Sequence, residues 1–197
     1  EFKDFEKFYE ERESIMKKEL INKLPTAWDE VTLEQYIKLV SDMPQFPEED
    51  LIGKTEEELK AIINRGIEMW FYNFTDVHMH GAELTVEEMF EVVTKINNLK
   101  NSSIPHVDFT DKIKEIDKIT YDEWITLIKL SEGDLPAQKY NNLPMMISIM
   151  LKEPMELADI QKLDMVSAEG FFLQLQKQLL EFINYSQTSL TKKMLNI

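Results

Sequence analysis

The chain has 197 residues, of which 43% are hydrophobic and 30% charged, a balance typical of a globular protein with one domain or two small ones. It contains no cysteine, which excludes disulfides, thiolate nucleophiles and cysteine-ligated zinc. With 37 acidic and 22 basic residues its net charge is −15, which repels a phosphate backbone, so nucleic acid is not expected as a direct ligand.

The two halves of the sequence differ in charge. Residues 1–100 hold 23 acidic and 12 basic residues, whereas residues 101–197 hold 14 and 10. We expect an acidic helical subdomain over 1–100 and a second helical subdomain over 101–197, meeting near the polar loop 97–105, or one continuous domain. No stretch approaches 18 uninterrupted apolar residues, and the charged N-terminal segment lacks the apolar core of a signal peptide. Neither a membrane span nor secretion is therefore predicted.

Residues 1–22 are predicted to form an amphipathic helix, because their apolar side chains recur near helical spacing. Aromatic residues concentrate near its start: Phe2, Phe5, Phe8 and Tyr9. A helix at a chain end can lay such a stripe into the groove of a partner. These four residues are therefore the candidate partner-binding residues, and packing of the helix on its own domain is the alternative.

Three segments carry the signature of a helix N-terminus. They start at Thr32, Thr85 and Thr120, and each Thr is followed three residues later by Gln or Glu. In such a capping box the Thr hydroxyl accepts a hydrogen bond from the first turn, and the Gln or Glu side chain accepts one from the Thr amide. The segments Val31–Leu39 and Ile119–Leu127 match position for position, either because helix caps converge or because of an old duplication.

Most of the remaining sequence is also expected to be helical. Thr55 opens a further capped helix after a linker with two prolines at 43–47. A short apolar helix is expected from Asn142, and a last amphipathic helix from about Ser167 to Asn184. Residues 106–119 alternate apolar and polar side chains only loosely, and a small β-hairpin is considered there. The sequence thus predicts a mainly α fold.

The sequence contains no recognisable catalytic or cofactor motif. It has no phosphate-binding or dinucleotide-binding glycine loop and no serine in a nucleophile elbow. His78 and His80, with Asp76, could ligate a metal from an extended loop, but such histidines are far more often structural or exposed. Five methionines between Met145 and Met165 suit either an adaptable binding surface or an irregular core. We therefore expect no enzyme, no cofactor and no metal site, and a function in binding another protein.

Three segments together resemble small virion morphogenesis proteins of tailed bacteriophages, especially phages of gut Bacteroidetes, which are similar in turn to tail assembly chaperones. The segments are Leu24–Tyr36, Lys118–Ile125 and Asn141–Pro154, and the likeness lies in their capped helices and in Trp28 and Trp124. The resemblance implies a non-enzymatic factor in virion assembly, either chaperone-like or a minor structural component. Its partners would be other phage structural proteins or copies of itself, in the host cytoplasm during assembly or in the virion.

The acidic composition also supports an alternative function, in which the chain is a cellular protein and not a phage protein. A cellular adaptor that binds a basic protein would also carry a large negative charge, and salt would weaken its binding because ions screen exposed charges. Membranes are not expected as partners in either case.

Overall fold

The structure, a computed structural model, describes part of the chain. The described backbone covers residues 2–42, 52–132 and 136–195, and the described side chains cover residues 11–41, 52–115, 117–132 and 140–181. Within these ranges the fold is helical, with eight α-helices and no β-strand, which confirms the predicted mainly α fold. In chain order the helices are α1 (Phe2–Asn22), α2 (Leu33–Asp42), α3 (Glu56–Thr75), α4 (Val86–Asn101), α5 (Tyr121–Ser131), α6 (Pro136–Met150), α7 (Leu157–Gln161) and α8 (Met165–Leu195).

Capping boxes start four of these helices, as the sequence predicts. At α5 the Glu123 amide donates to the Thr120 hydroxyl at 3.3 Å, and the Thr120 amide donates to the Glu123 carboxylate at 2.9 Å. The same reciprocal pair begins α2 at Thr32, α3 at Thr55 and α4 at Thr85. Each box satisfies amides that have no partner inside the helix, which stabilises the helix by about 1 kcal/mol.

The chain divides into two compact units. The first comprises Glu1–Val31 and Lys38–Ser103, and the second comprises Thr32–Ile37 and Ile104–Ile197. Helix α2 contributes residues to both units. The step between Ser103 and Ile104 falls within the polar segment 97–105, which follows the end of α4 at Asn101.

The core of the first unit forms between α1, α3 and α4 with the loop that joins α3 to α4. Its buried members are Leu20, Ile21, Leu24, Ile67, Phe71, Met79, Leu84 and Val92. Leu84 precedes the Thr85 cap and Met89 lies in the first turn of α4, and both pack on this cluster. Apolar contact across a helix start of this kind fixes the direction in which the chain enters the helix.

The core of the second unit forms from α5 to α8. Its most buried side chains include Leu127, Leu143, Ile147, Met150, Ile160, Met165 and Leu175. The start of α2 is attached to it through backbone hydrogen bonding, because the Leu33 amide donates to the Leu163 carbonyl at 2.8 Å beside a bridge between Thr32 and Asp164.

The β-hairpin considered for residues 106–119 is not found in the described part of the chain. That segment instead makes one isolated antiparallel bridge, between Ile113 and Leu151. The Lys114 amide donates to the Met150 carbonyl at 2.7 Å, and the Lys152 amide donates to the Lys112 carbonyl at 3.0 Å. Ile113 is buried, and these long-range bonds satisfy the backbone of its neighbours Lys112 and Lys114 without a local hairpin.

Two helix starts lie earlier than the sequence predicts. Asn142 lies inside α6, which starts at Pro136, and its side-chain amide donates to the Leu130 carbonyl at 2.9 Å. Ser167 is likewise inside α8, where its amide and hydroxyl both donate to the carboxylate of Asp164 at 2.8 Å. Asp164 is thus the capping residue.

Two helices near the C-terminus differ from the prediction, and one predicted linker is not covered by the structure. Helix α8 continues to Leu195, well beyond the expected end at Asn184, and the short helix α7 was not predicted. The proline-containing linker at 43–47 lies outside the described residues.

Candidate protein-binding surfaces

Helix α1 carries the four candidate partner-binding residues. It is continuous from Phe2 to Asn22, so Phe2, Phe5, Phe8 and Tyr9 lie on one helix, as predicted. The side chains of these four residues are outside the described residues. The side chains that follow them along the same helix are described, and they show how α1 meets the first unit.

None of the side chains of residues 11–16 is buried. Ile15 is 61% exposed and Met16 is 53% exposed, although both are large and apolar. One turn further on, Leu20 and Ile21 are buried in the core of the first unit. The C-terminal turn of α1 is therefore packed, and within residues 11–16 the apolar side chains of Ile15 and Met16 are exposed to solvent.

Two lysines attach the packed part of α1 to α4 and to the turn before it. The ammonium of Lys17 donates to the Glu83 carbonyl at 2.8 Å and pairs with Glu13 at 2.8 Å. The hydrogen bond to Glu13 raises the pKa of Lys17. On α4, Lys95 donates to the Ile21 carbonyl at 3.0 Å. This bond satisfies a carbonyl near the end of α1 with a cation, which also suits the negative end of the helix dipole.

The outer face of α4 is a second exposed apolar surface in the first unit. Val86 is 88% exposed and Phe90, one turn later, is 74% exposed. The opposite face of the same helix buries Val92 and Leu99 completely. Residues four apart on a helix are neighbours, so Val86 and Phe90 form one patch rather than two scattered residues.

The two histidines singled out in the sequence share one carboxylate. His78 Nδ1 lies 3.3 Å from one oxygen of Glu68, and His80 Nε2 lies 3.6 Å from the other. The His78 ring also stacks on Tyr72, with 4.4 Å between ring centroids. Among the described residues, no three His, Asp or Glu side chains are placed to hold a metal ion.

Asp76, the third residue of that hypothetical site, ends α3. Its backbone is left-handed, with φ of 55°, and its amide donates to the Tyr72 carbonyl at 3.0 Å. Asp is one of the few residues other than Gly that adopt this conformation readily. The position of Asp76 is therefore accounted for by the end of the helix.

A groove of about 360 Å³ lies in the second unit. Its apolar lining includes Phe109, Leu151 and Phe171, and the rings of Phe109 and Phe171 stack with centroids 4.2 Å apart. The charged lining is mixed, with Asp111, Lys112, Lys152 and Glu153. Since both signs of charge are present, the groove does not by itself select a ligand by charge.

The methionines between Met145 and Met165 divide between the two interpretations. Met146, Met150 and Met165 are buried in the core of the second unit, whereas Met145 and Met155 are substantially exposed. The cluster is therefore in part core filling and in part surface.

The second unit contains a cluster of three partly buried polar side chains, Tyr36, Tyr140 and Glu169. The rings of Tyr36 and Tyr140 meet edge to face with 4.7 Å between their centroids. The pKa of Tyr36 is raised, mainly by burial of its hydroxyl and to a smaller extent by the neighbouring Tyr140. Burial also raises the pKa of the nearby Glu169 carboxyl. One Glu169 oxygen is buried without a hydrogen-bond partner among the described residues, which is an energetic cost whenever the carboxyl is ionised.

No helix in the described ranges has an apolar run long enough to cross a lipid bilayer. Comparison with models of known families, with curated proteins and with solved structures finds no match to this chain.

Proposed function

We propose that this chain is a non-enzymatic protein-binding protein, with helix α1 as its main binding element. We further propose that it acts in virion assembly of a tailed bacteriophage, as a tail assembly chaperone-like factor or a minor structural component. Its partners are then other phage structural proteins or further copies of the chain. It would work in the host cytoplasm during assembly and, as a structural component, in the virion.

The observation that carries the binding role is the exposure of α1 ahead of its packed turns. Ile15 and Met16 keep more than half of their surface in water, and burying that remaining surface in an interface would contribute roughly 1–2 kcal/mol each. Most of the helical stability of a protein segment comes from packing of its apolar face. A partner that covers these turns would supply the packing that the described part of the first unit does not.

The phage role is supported by the sequence resemblance of three segments, Leu24–Tyr36, Lys118–Ile125 and Asn141–Pro154. Two of these segments begin helices through capping boxes, at Thr32 and Thr120. The alternative, a cellular adaptor for a basic protein, is supported by the net charge of −15. Both functions use protein contacts, so they differ in the partner rather than in the kind of surface.

Quantitative mass spectrometry on purified virus particles and on the infected-cell lysate of the source would separate these roles. A fixed copy number in particles indicates a structural component. Abundance in the lysate with absence from particles indicates a chaperone-like factor. Absence from both would refute the phage role and favour the cellular adaptor.

The role of α1 has its own test, a variant with Ile15→Gln and Met16→Gln. Gln keeps a good helix propensity while it removes the apolar surface. The matched control is Ile63→Gln on α3, where the native side chain is 49% exposed. In cross-linking with partners identified in the infected cell, we expect the double variant to lose most cross-links and the control to retain them. Equal cross-linking of both variants would refute the binding role of α1.

A further inference from the structure

The exposed residues of α4 continue as a stripe along the helix. Val86, Phe90, Val93 and Asn97 follow one another at spacings of four, three and four residues, which is the seam spacing of a coiled coil. Val86 and Phe90 are strongly exposed, Val93 is half-buried at the edge of the core cluster, and Asn97 is exposed. A stripe of this kind matches the apolar face of a second helix.

Acidic side chains flank the exposed end of this stripe. Glu87 and Glu91 lie on α4 beside Phe90, and Glu83 lies in the turn before the helix. All three are exposed. The nearby cations, Lys17 and Lys95, both donate to backbone carbonyls and keep less than a fifth of their side-chain surface in water, and Lys95 also pairs with Glu91 at 3.9 Å. Lys100, at the other end of α4, is exposed. At the end that holds Val86 and Phe90, an incoming helix therefore meets an apolar seam with a negative flank, formed mainly by Glu83 and Glu87.

We propose that the outer face of α4 docks the apolar face of a basic amphipathic helix from another protein. Phe90 is the central anchor, because large aromatic side chains contribute most to such interfaces. Glu87 takes the flanking position at which coiled-coil partners place opposite charges, and it selects lysine or arginine on the incoming helix. Asn97, a polar residue within the seam, favours one register of the two helices.

Charge argues against a second copy of this chain as the occupant. The exposed flank of α4 is acidic, so two copies of this face would place like charges against each other. Residues 1–16, which hold the exposed turns of α1, contain six acidic and three basic residues and are also a poor electrostatic match. The net charge of −15 adds to this repulsion between two α4 faces at low salt.

The proposal is tested with the full chain and two synthetic three-heptad helical peptides. Both peptides carry the same leucine seam, and the flanking positions are lysine in one and glutamate in the other. Binding is measured by fluorescence anisotropy at two salt concentrations. We expect the lysine peptide to bind, with an affinity that falls as salt rises, and the glutamate peptide to bind at least about tenfold more weakly.

Site variants locate the binding. Phe90→Ala should weaken binding of the lysine peptide by about tenfold or more. Glu87→Gln should reduce the dependence of this binding on salt concentration. Ile63→Gln on α3 is the control and should bind as the native chain does. These variants leave α1 unchanged, so the result is independent of the role proposed for α1.

Three results would overturn the proposal. One is equal binding of the lysine peptide to the native chain and to Phe90→Ala. Another is equal binding of the two peptides. The third is concentration-dependent self-association in sedimentation equilibrium that Phe90→Ala abolishes, which would assign the face to a second copy. Circular dichroism on each variant confirms that the helices are retained.

Discussion

Replacement of Gly170 by alanine tests how the segment before α5 packs on helix α8. A Cβ atom at this position would lie 2.7 Å from two ring carbons of Phe109 and 2.7 Å from the carbonyl oxygen of Val107. These separations are far shorter than ordinary van der Waals contact, and one of the atoms is backbone. The added methyl group therefore forces the segment that contains Val107 and Phe109 away from α8.

The expected size of the effect follows from two opposing terms. Overpacking by one methyl group costs about 1–3 kcal/mol when the surroundings must shift. Alanine in a helix interior is more favourable than glycine by about 1 kcal/mol. We therefore expect Gly170→Ala to lower the free energy of unfolding by up to about 2 kcal/mol.

Gly66 provides a matched control within helix α3. It also lies inside a long helix, and a Cβ built there meets no atom within 4 Å. Gly66→Ala should therefore raise the free energy of unfolding by up to about 1 kcal/mol. Urea titration followed by circular dichroism gives the sign, and hydrogen exchange resolves α3 from α8 because separate units need not unfold together.

A double-variant cycle identifies the atoms responsible. Gly170→Ala should cost less in a Phe109→Ala background, since the ring contacts are then gone and only the Val107 carbonyl remains in the way. A Gly170→Ala protein as stable as Gly66→Ala would refute the close packing of Phe109 on α8.

Three further predictions concern the second unit. Thr120→Ala should lower the free energy of unfolding in urea by about 1 kcal/mol, because the first turn of α5 loses its cap. The hydrogen bond from Lys114, at 2.8 Å, lowers the pKa of Glu123, so its contribution to stability should be lost as pH falls below the ordinary value of 4.5. Glu123→Gln should remove that acid dependence in thermal melts across pH. Burial raises the pKa of Glu169, so its ionisation destabilises the fold as pH rises above 4.5. Glu169→Gln should therefore be more stable than the native chain at pH 7, and the difference should shrink in acid. A stability difference between Glu169→Gln and the native chain that stays constant across pH would contradict this reasoning.

Local hydrogen bonding explains why the helix starts could be predicted from the sequence. A capping box involves residues three apart, such as Thr85 and Glu88, and its donors and acceptors are fixed by those residue types. The predicted mainly α fold follows from these starts and from apolar spacing. Asp164 could have been recognised too, since it is a good cap and Ser167 lies three residues beyond it.

Long-range packing explains what could not be predicted. Ile113 pairs with Leu151, and nothing within residues 106–119 specifies that partner. Trp28, one of the two tryptophans that carry the resemblance, is only half-buried, and its indole N–H donates to the Ser102 carbonyl at 3.1 Å. Among the described side chains, the most deeply buried aromatic residues are Trp70 and Phe71, in the C-terminal half of α3.

Of the two candidate binding surfaces, the one on α1 could be predicted from the sequence and the one on α4 could not. The sequence indicates α1 as a binding element from its aromatic residues, because amphipathic spacing is a local property. It did not indicate Val86 and Phe90, because spacing alone does not say which apolar residues of α4 face the core. Only the placement of Val92 and Leu99 against the rest of the first unit leaves the other face exposed.

The exposed turns of α1 also bear on how long an unbound copy of the chain survives in a cell. Local opening costs little free energy where few apolar contacts are lost, and Ile15 and Met16 have few to lose. Proteases cleave transiently opened segments, so degradation of a free copy would begin near these turns. A bound partner would bury the same turns and slow cleavage. The supply of partner would then set the amount of this protein, and copies made in excess would be removed.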